Sequence, residues 1–284
     1  MNPSIHEAIN KAADTLRQGG VADPRREARS LLASLLRQNQ TYLLTHDNDP
    51  LIQSDVEALD KMIARRRRGE PLQYITGQQE FYKLQFEVTP DVLIPRPETE
   101  AIVEVALELS RNQHDLIIAD IGTGSGCIAI SLLKERPDAK VFATDTATGA
   151  LRVAERNARL HGVEDRLTLI ESDLFNQLPR EKEFFLVLSN PPYIPEQDWS
   201  GLAREVHDYE PRSALVSGTD GLDCIRRLLL DAPRFLLSGG GLVFEIGLGQ
   251  EEVIKSLVDP NIWEVLEIRK DLQGIPRTVV LRKK

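Results

Sequence analysis

The segment Asn190-Pro191-Pro192-Tyr193 has the residue types to hold a planar group that bears N–H bonds. It follows the apolar run 184–188, which predicts a strand buried on both faces. Two prolines end that strand sharply, because proline fixes φ and lacks an N–H donor. The segment is therefore predicted to form a rigid loop at the carboxyl end of a central strand, where open α/β sheets bind ligands. The alternative interpretation is a turn that only ends the strand.

A glycine-rich turn, Asp120-Ile121-Gly122-Thr123-Gly124-Ser125-Gly126, joins a predicted strand to a predicted helix. Glycines at alternate positions let a ligand approach the backbone and expose N–H groups at a helix N-terminus. Cys127 stands where the dinucleotide fingerprint has its third glycine, which disfavours a nicotinamide-dependent dehydrogenase. No G-x-x-x-x-G-K-[ST] segment occurs, so a phosphate-binding P-loop is excluded.

Two acidic residues end the next two predicted strands. Asp145 lies 23 residues after Gly122, where its carboxylate could accept both hydroxyls of a ribose. Asp173 follows the third strand and could accept the amino group of an adenine. Together with the glycine turn, the two carboxylates predict an adenosyl ligand. The alternative is that each carboxylate caps the helix that follows it.

Composition predicts a cytoplasmic protein. The 284 residues are 41% hydrophobic and 28% charged, with a net charge of −9. Residues 1–75 hold 11 Lys or Arg against 10 Asp or Glu, and the remainder holds 24 against 34. This acidic remainder argues against a protein that coats nucleic acid. Two isolated cysteines, scattered histidines and the lack of a long apolar run predict a reducing compartment, no metal site and no membrane segment.

Three regions are predicted to position these groups. Residues 1–75 have helical periodicity and predict a small helical bundle. Residues 76–95 predict a linking β-hairpin, with strands at 81–88 and 92–94. Strands and helices alternate over 96–284, which predicts an α/β fold with a doubly wound, mostly parallel sheet. A short connection predicts that the last two strands pair antiparallel.

The basic run Arg65-Arg66-Arg67-Arg68 lies in the last turn of a predicted helix. Cations at this end of a helix are stabilised by its macrodipole. Four consecutive arginines cannot all point to one side of a helix. A solvated helix end is therefore favoured over a binding patch for an acidic partner or RNA.

The glycine turn, Asp145 and Asn190 to Tyr193 together resemble class I methyltransferases that use S-adenosylmethionine and act on an amide or amino nitrogen. Further segments narrow the resemblance to the release-factor glutamine methyltransferases. In family order the similar segments are 69–77, 93–100, 120–126, 190–193, 209–211 and 218–222. The resemblance implies a seven-stranded Rossmann-like methyltransferase sheet preceded by a small N-terminal helical bundle.

The resemblance also implies a reaction and a set of residues. The reaction is methyl transfer from S-adenosylmethionine to the side-chain nitrogen (N5) of the glutamine in the Gly-Gly-Gln motif of peptide chain release factors. Asn190 Oδ1 and the Pro191 carbonyl would accept the two N–H bonds of the substrate amide, with Tyr193 packed on its plane. The implied catalytic and substrate-binding residues are Asn190, Pro191, Pro192 and Tyr193, with Arg96 also contacting substrate. The implied cofactor-binding residues are Gly122, Thr123, Gly124, Ser125, Gly126, Asp145, Asp173, Leu174 and Asn190, with either Leu174 or Phe175 packed on the adenine.

The expected partners are release factors, and neither a nucleic acid nor a membrane is expected to bind directly. We expect a monomer whose helical bundle docks the substrate protein. One alternative is a methyltransferase of exocyclic amines in DNA or RNA, which would share Asn190 to Tyr193 but carry a basic substrate face. Another is a non-catalytic adenosyl-binding module, which would not need residues that hold a substrate amide.

Overall fold

The computed structural model describes residues 2–181 and 183–284. They form two compact units. The first runs to Gln78 and includes Ala203–Tyr209, and the second comprises Gln79–Leu202 and Glu210–Lys284. Within the described residues, every helix is too short or too polar to span a lipid bilayer.

The helices and strands follow the order that the periodicity predicts, helices first and then an alternation. In chain order the helices are α1 (Ile5–Gln18), α2 (Pro24–Leu36), α3 (Gln40–Thr45), α4 (Gln53–Arg67), α5 (Leu72–Thr76), α6 (Glu100–Leu109), α7 (Cys127–Glu135), α8 (Thr148–His161), α9 (Arg204–Tyr209), α10 (Asp223–Asp231) and α11 (Glu251–Leu257). The strands are β1 (Gln78–Phe81), β2 (Leu84–Glu87), β3 (Ile117–Ile121), β4 (Lys140–Asp145), β5 (Leu167–Glu171), β6 (Phe184–Ser189), β7 (Leu236–Glu245), β8 (Trp263–Lys270) and β9 (Pro276–Lys283).

The first unit is a helical bundle with its own core. Helix α1 begins at Ser4, whose hydroxyl accepts from Glu7 N while the Glu7 carboxylate accepts from Ser4 N. This reciprocal cap satisfies two donors that a helix start leaves free. The helices bury a common apolar face, and its fully buried members include Leu16, Leu31 and Leu32.

Within this unit, the arginine run at the end of α4 is only in part the solvated helix end that its sequence favours, because Arg66 is buried and Arg67 and Arg68 are exposed. The Arg66 side chain is only 6% exposed and pairs with Glu27 and, at 2.6 Å, with Glu205 of α9. Arg65 pairs with Glu70 through two nitrogens. The prediction was wrong for Arg66, whose acidic partners are distant in sequence, whereas the Arg65 side chain remains 39% exposed beside its partner. Arg67 and Arg68 line a surface cavity of the same unit.

The hairpin lies earlier in the chain than predicted. Strand β1 ends at Phe81 and β2 begins at Leu84, so Tyr82 and Lys83 form the turn, both with positive φ (48° and 62°). This is the turn geometry that a two-residue hairpin loop requires. At residues 92–94, where a strand was expected, the structure shows irregular backbone. Tyr82 and Lys83 lack the Gly or Asn signal that usually marks such a turn.

The second unit is built on a seven-stranded sheet of order β5-β4-β3-β6-β7-β9-β8. Strands β3 to β7 pair in parallel, whereas β9 pairs antiparallel with both β7 and β8. One apolar cluster contains residues of α6 and α7, and another contains residues of α10 and α11. Successive residues of β3 alternate between them, with Ile118 in the first and Ala119 in the second. The predicted doubly wound sheet with an antiparallel end is confirmed.

Candidate active site

Three strand ends lie level at one edge of the sheet. In the parallel register, Ile121 of β3 pairs with Thr144 of β4 on one side and with Ser189 of β6 on the other. Gly122, Asp145 and Asn190 therefore emerge side by side. The strand order changes direction between β3 and β6, which is where doubly wound sheets open a crevice for ligands.

A cavity of about 490 Å³ lies at this edge. Most of the predicted site residues line it, namely Gly122, Thr123, Gly124, Ser125, Asp145, Asp173, Leu174, Asn190, Pro191 and Pro192. Gly126, Tyr193 and Arg96 are not among its lining residues. Further lining residues come from three segments, around Pro90–Leu93, Pro211–Ser217 and Asp223–Arg227, and of these Leu93 and Pro211 fall in the segments 93–100 and 209–211 that carry the family resemblance.

The glycine turn approaches the cavity with its backbone. Gly122, Gly124 and Gly126 have φ of 75°, 55° and 81°, values that residues other than glycine rarely adopt. A Cβ on Gly122 or Gly124 would meet no protein atom within 4 Å, so these positions face open space. The expectation that the turn exposes its N–H groups was wrong in part. The N–H groups of Gly122, Thr123, Gly124 and Gly126 all donate to protein oxygens.

Two buried oxygens beneath the turn have no hydrogen-bond partner among the described residues. They are Oδ1 of Asp120 and Oγ of Ser125. The other Asp120 oxygen accepts from Thr123 Oγ1 at 2.6 Å. Burial, opposed by this hydrogen bond, raises the pKa of Asp120 to about 7. Of these two residues, Ser125 lines the cavity and Asp120 does not.

Asp145 is held by backbone donors on both oxygens. Oδ2 accepts from Gly124 N and Oδ1 from Ala147 N, each at 2.9 Å. Burial raises the pKa of Asp145, and these backbone hydrogen bonds partly oppose that shift. The side chain makes no cap bond to an N–H inside α8. Its carboxylate instead links the glycine turn to the end of β4, with lone pairs left toward the cavity.

Asp173 and Leu174 follow β5 at the far end of the cavity. Asp173 is exposed and forms a two-fold ion pair with Arg227, at 2.9 and 2.8 Å. Leu174 has a left-handed φ of 51° and lines the cavity. Phe175 is only 3% exposed and stacks on Phe235, with ring centroids 5.1 Å apart. Of the two apolar candidates for an adenine contact, only Leu174 faces the cavity.

Asn190 is anchored through its amide nitrogen. Nδ2 donates to Thr99 Oγ1 at 3.0 Å, and Thr99 Oγ1 donates to Glu245 Oε2 at 2.6 Å. Neither Asn190 Oδ1 nor the Pro191 carbonyl accepts a hydrogen bond from any residue that the structure describes. Both acceptors that were predicted to bind a substrate amide are therefore available.

The loop after Asn190 is held rigidly by its backbone. Tyr193 N and Ile194 N donate to Leu215 O, and Tyr193 O accepts from Gln250 Nε2. The Tyr193 hydroxyl donates to Glu245 Oε1 at 3.2 Å. Burial and the neighbouring Glu245 raise the pKa of Tyr193 far above its ordinary value, so the phenol stays neutral. The ring is half-buried against the apolar cluster of α10 and α11.

Arg96 has a structural partner. Its Nη2 pairs with Glu210 Oε1 at 2.5 Å, and Glu210 Oε2 accepts from Ile94 N. The Glu210 side chain is only 2% exposed. This pair fixes the segment that enters the cavity wall at Leu93 and Pro95. The structure thus places Arg96 beside the site and not in its lining.

Three buried polar residues that support the site were missed by the sequence reasoning. Thr99 and Glu245 connect Asn190 to Tyr193. Asn157, fully buried in α8, bonds both backbone groups of Glu87 in β2 and also Ser125 O in the glycine turn. A signal did exist for Glu245, because it interrupts the apolar run 242–246, and a buried charge is costly unless it is paired and hydrogen-bonded.

Similarity to known proteins agrees with this geometry. Residues 7–77 match the PrmC N-terminal domain, and residues 101–206 match the methyltransferase small domain. The chain is 42% identical to a release factor glutamine methyltransferase of Geobacter sulfurreducens, over 97% of this chain and 95% of that protein. It is 39% identical to one of Nitratidesulfovibrio vulgaris, over 100% of this chain and 98% of that protein.

Among solved structures, a methyltransferase from Pyrococcus furiosus superposes with a TM-score of 0.51 at 19% identity. The match covers 70% of this chain and 88% of that one, and it supports the fold alone. The full-length relatives support more, since identity at this level extends over both units. The chain belongs to the release factor glutamine methyltransferase family.

Proposed function

We propose that this protein transfers the methyl group of S-adenosylmethionine to the side-chain amide nitrogen of a glutamine in peptide chain release factors. Relatives that match almost the whole chain bear that function in their names. The observation that supports it most directly is the pair of free acceptors, Asn190 Oδ1 and the Pro191 carbonyl, at the wall of the cavity. A primary amide presents two N–H donors, and two acceptors on a rigid loop suit it.

The cavity fits an adenosyl cofactor. Its polar end has the Asp145 carboxylate and the Ser125 residue beside a backbone turn with room for a ligand. We infer that Asp145 accepts the ribose hydroxyls and that Leu174 packs on the adenine, with Asp173 near its amino group. S-adenosylmethionine supplies an activated methyl group when bound, so the hard chemical step needs no protein nucleophile.

The protein's own contribution is orientation. The lone pair of an amide nitrogen is delocalised into its carbonyl, so the nitrogen is a poor nucleophile. Acceptance of both N–H bonds by Asn190 and Pro191 would aim the nitrogen and stabilise the positive charge that grows on it. The Tyr193 ring is not part of the cavity lining, so its predicted packing on the amide plane has no support from the geometry. Its hydroxyl is turned toward Glu245, so it would take no part in proton transfer.

We further propose that the helical bundle docks the release factor. Its surface cavity is lined by Arg67, Arg68 and Arg204, with Asp60 the acidic residue among the lining. Arg204 pairs with Asp208, whereas neither Arg67 nor Arg68 has an acidic group within 4.0 Å among the residues described. Two available cations suit an acidic face of a protein partner.

A charge reversal of Arg67 and Arg68 to Glu tests this docking. It should raise KM for whole release factor and leave cofactor affinity unchanged, and Lys61→Glu on the exposed side of the same helix is the matched control. Equal KM for the double variant and the control would contradict docking at this surface. Deletion of residues 1–75 is a less clean test, because Ala203–Tyr209 belongs to the same unit.

A labelled-methyl transfer assay tests the reaction itself. Release factor with an intact glutamine in its Gly-Gly-Gln motif should gain one methyl group, and the same factor with that glutamine replaced by alanine should gain none. Oligonucleotides of DNA and RNA serve as the competing substrates. Label on an oligonucleotide, or on the alanine-substituted factor at the wild-type rate, would overturn the proposal.

A further inference from the structure

Asn190, Thr99 and Glu245 are linked by side-chain hydrogen bonds, and this network does more than hold Asn190 in place. We propose that Thr99 and Glu245 are positioning residues that decide which end of the Asn190 amide faces the substrate. This inference rests on the proposed function, because it assigns them a role in presenting the acceptor Oδ1. Neither residue needs to touch the substrate for this role.

The argument begins with the protons that each group holds. Glu245 is 2% exposed, and burial raises the pKa of its carboxyl group, while the hydrogen bonds from Thr99 and Tyr193 oppose that shift and favour the carboxylate. A carboxylate can only accept hydrogen bonds. Glu245 accepts from Thr99 Oγ1 at 2.6 Å and from Tyr193 Oη at 3.2 Å, one on each oxygen. The single proton of the Thr99 hydroxyl is therefore directed to Glu245. Toward Asn190, 3.0 Å away, Thr99 can offer only a lone pair.

That lone pair fixes the orientation of the Asn190 amide. The two ends of an asparagine amide have nearly the same shape, so only its hydrogen-bond partners distinguish them. Nδ2 can donate to Thr99, whereas Oδ1 in the same place would face another acceptor. Because Thr99 has no second proton, the flipped amide is disfavoured. Oδ1 is left to face the cavity, where the substrate amide would donate.

Without these hydrogen bonds to Thr99 and Glu245, the Asn190 side chain would turn Nδ2 toward the substrate for part of the time. A flipped amide would direct Nδ2 at the N–H bonds of the substrate, so donor would meet donor. A side chain that samples both orientations is productive in only one of them. The expected cost is therefore in the rate of methyl transfer from the bound complex, and cofactor affinity should not change.

Thr99→Val tests the first link, because valine keeps the shape and removes the hydroxyl. We expect single-turnover methyl transfer to release factor to fall about tenfold, the value of one oriented hydrogen bond. Affinity for S-adenosylmethionine should stay within twofold. Thr99→Ser, which restores the hydroxyl, should recover most of the rate. The matched control is Thr278→Val, since Thr278 is equally buried, pairs with Glu245 across β7 and β9, and has an unpartnered hydroxyl.

A double-mutant cycle separates positioning from a general structural role. If Thr99 acts through Asn190, then Thr99→Val should have no further effect on rate in an Asn190→Ala background. Full additivity of the two rate effects would overturn the inference. So would a Thr99→Val enzyme that is as fast as the Thr278→Val control. Failure of the wild-type enzyme to methylate release factor would instead overturn the proposed function.

Glu245→Gln provides a second test should Thr99→Val not fold. Thr99 and Tyr193 donate to different oxygens of Glu245, and in a glutamine one of these two positions is an NH2 group, which cannot accept. The substitution should slow methyl transfer when Tyr193 is present. In a Tyr193→Phe background the glutamine oxygen is free to serve Thr99, and Glu245→Gln should then cost at most twofold. An equal loss in both backgrounds would contradict the role of Glu245 in orienting Asn190 through Thr99.

Discussion

The two ends of the cavity hold their polar groups in different ways. Around Asn190, the chain of Thr99, Glu245 and Tyr193 pairs its donors and leaves acceptors at the surface of the cavity. Under the glycine turn, Asp120 and Ser125 each bury an oxygen that has no partner in the described part of the chain. The substrate end is thus preorganised, whereas the cofactor end is incomplete.

This difference follows from what each end has to do. Asp145 lines the cavity, and each of its oxygens accepts from only one backbone N–H, so a ligand that donates to them adds hydrogen bonds that the free protein lacks. Incomplete bonding therefore favours ligand binding. Orientation of a weak nucleophile benefits instead from groups that are fixed before the substrate arrives. We accordingly expect substitutions at one end to change rate and those at the other to change affinity or stability.

The largest effect is expected from Asn190→Ala at the preorganised end. The methyl-transfer rate should fall by about a hundredfold or more, as when one preorganised polar contact is lost. Fold and cofactor affinity should be nearly unchanged, because the Asn190 side chain is not part of the apolar core. Single-turnover transfer beside a melting curve checks this. A folded alanine variant at near wild-type speed would remove Asn190 from the mechanism.

Asn190→Asp sharpens the same comparison. Aspartate keeps an acceptor toward the cavity but lacks the donor that Asn190 offers to Thr99. The one proton of Thr99 would then be shared between two carboxylates, Asp at 190 and Glu245. We expect a rate close to that of the alanine variant. Rate retention above one tenth of wild type would show that the anchor to Thr99 is dispensable.

At the incomplete end, Asp145→Ala should change affinity more than rate. It removes charge-assisted hydrogen bonds to ribose worth about 1.5–3 kcal/mol, or roughly tenfold to a hundredfold in Kd. The substitution also leaves the N–H groups of Gly124 and Ala147 without the carboxylate to which they donate. Calorimetry with S-adenosylmethionine measures the loss, and the rate at saturating cofactor is the internal control. An affinity within twofold of wild type would refute the ribose assignment.

Asp120 should make stability depend on pH. Burial raises its pKa to about 7, so in the folded protein it ionises at a higher pH than the ordinary value of 3.8. The unfolded chain is already ionised above its pKa of 3.8, so stability falls as pH rises from there to about 7 and levels off above that pH. Between pH 6 and 8, wild type should lose about 1.4 kcal/mol relative to Asp120→Asn. Denaturant unfolding of both proteins at pH 6, 7 and 8 measures this, and parallel curves would contradict it.

The smallest effect distinguishes two neighbouring residues after β5. Leu174→Ala should weaken cofactor binding only a few-fold, by loss of apolar contact worth about 1 kcal/mol, with little change in stability. Phe175→Ala should instead destabilise the fold by about 3–5 kcal/mol, because it empties a buried site against Phe235. Calorimetry and melting curves on both variants decide the matter. The reverse pattern would place Phe175 on the adenine.

Local periodicity was sufficient to predict a helical bundle followed by a doubly wound, mostly parallel sheet, whereas the seven strands of that sheet were implied by the family resemblance. The runs that form β3 and β6 are short and apolar, and the residues after them are the ones that line the cavity. The partners of those residues could not be predicted in the same way. Thr99 and Asn190 are 91 positions apart, and Thr99 and Glu245 are 146 apart. Only the folded sheet brings them together.

The predictions for Arg66 and for the hairpin were wrong for a related reason. Arg66 is buried because Glu27 and Glu205 reach it from other elements, which its own helix does not reveal. Tyr82 and Lys83 adopt left-handed backbone although neither residue type favours it. Tyr82 N is bonded to Glu100 Oε1 at 2.8 Å, so tertiary contact stabilises a turn that local chemistry would not select.

The bridge through Asn157 has a consequence for the dynamics of the hairpin. A two-stranded hairpin is only marginally stable by itself, and β1 and β2 pair with no further described strand. Asn157 joins Glu87 of that hairpin to Ser125 O in the glycine turn. Local opening of the hairpin should therefore become rarer when a ligand orders the turn. Amide hydrogen exchange at Glu87 would then report cofactor occupancy from outside the cavity.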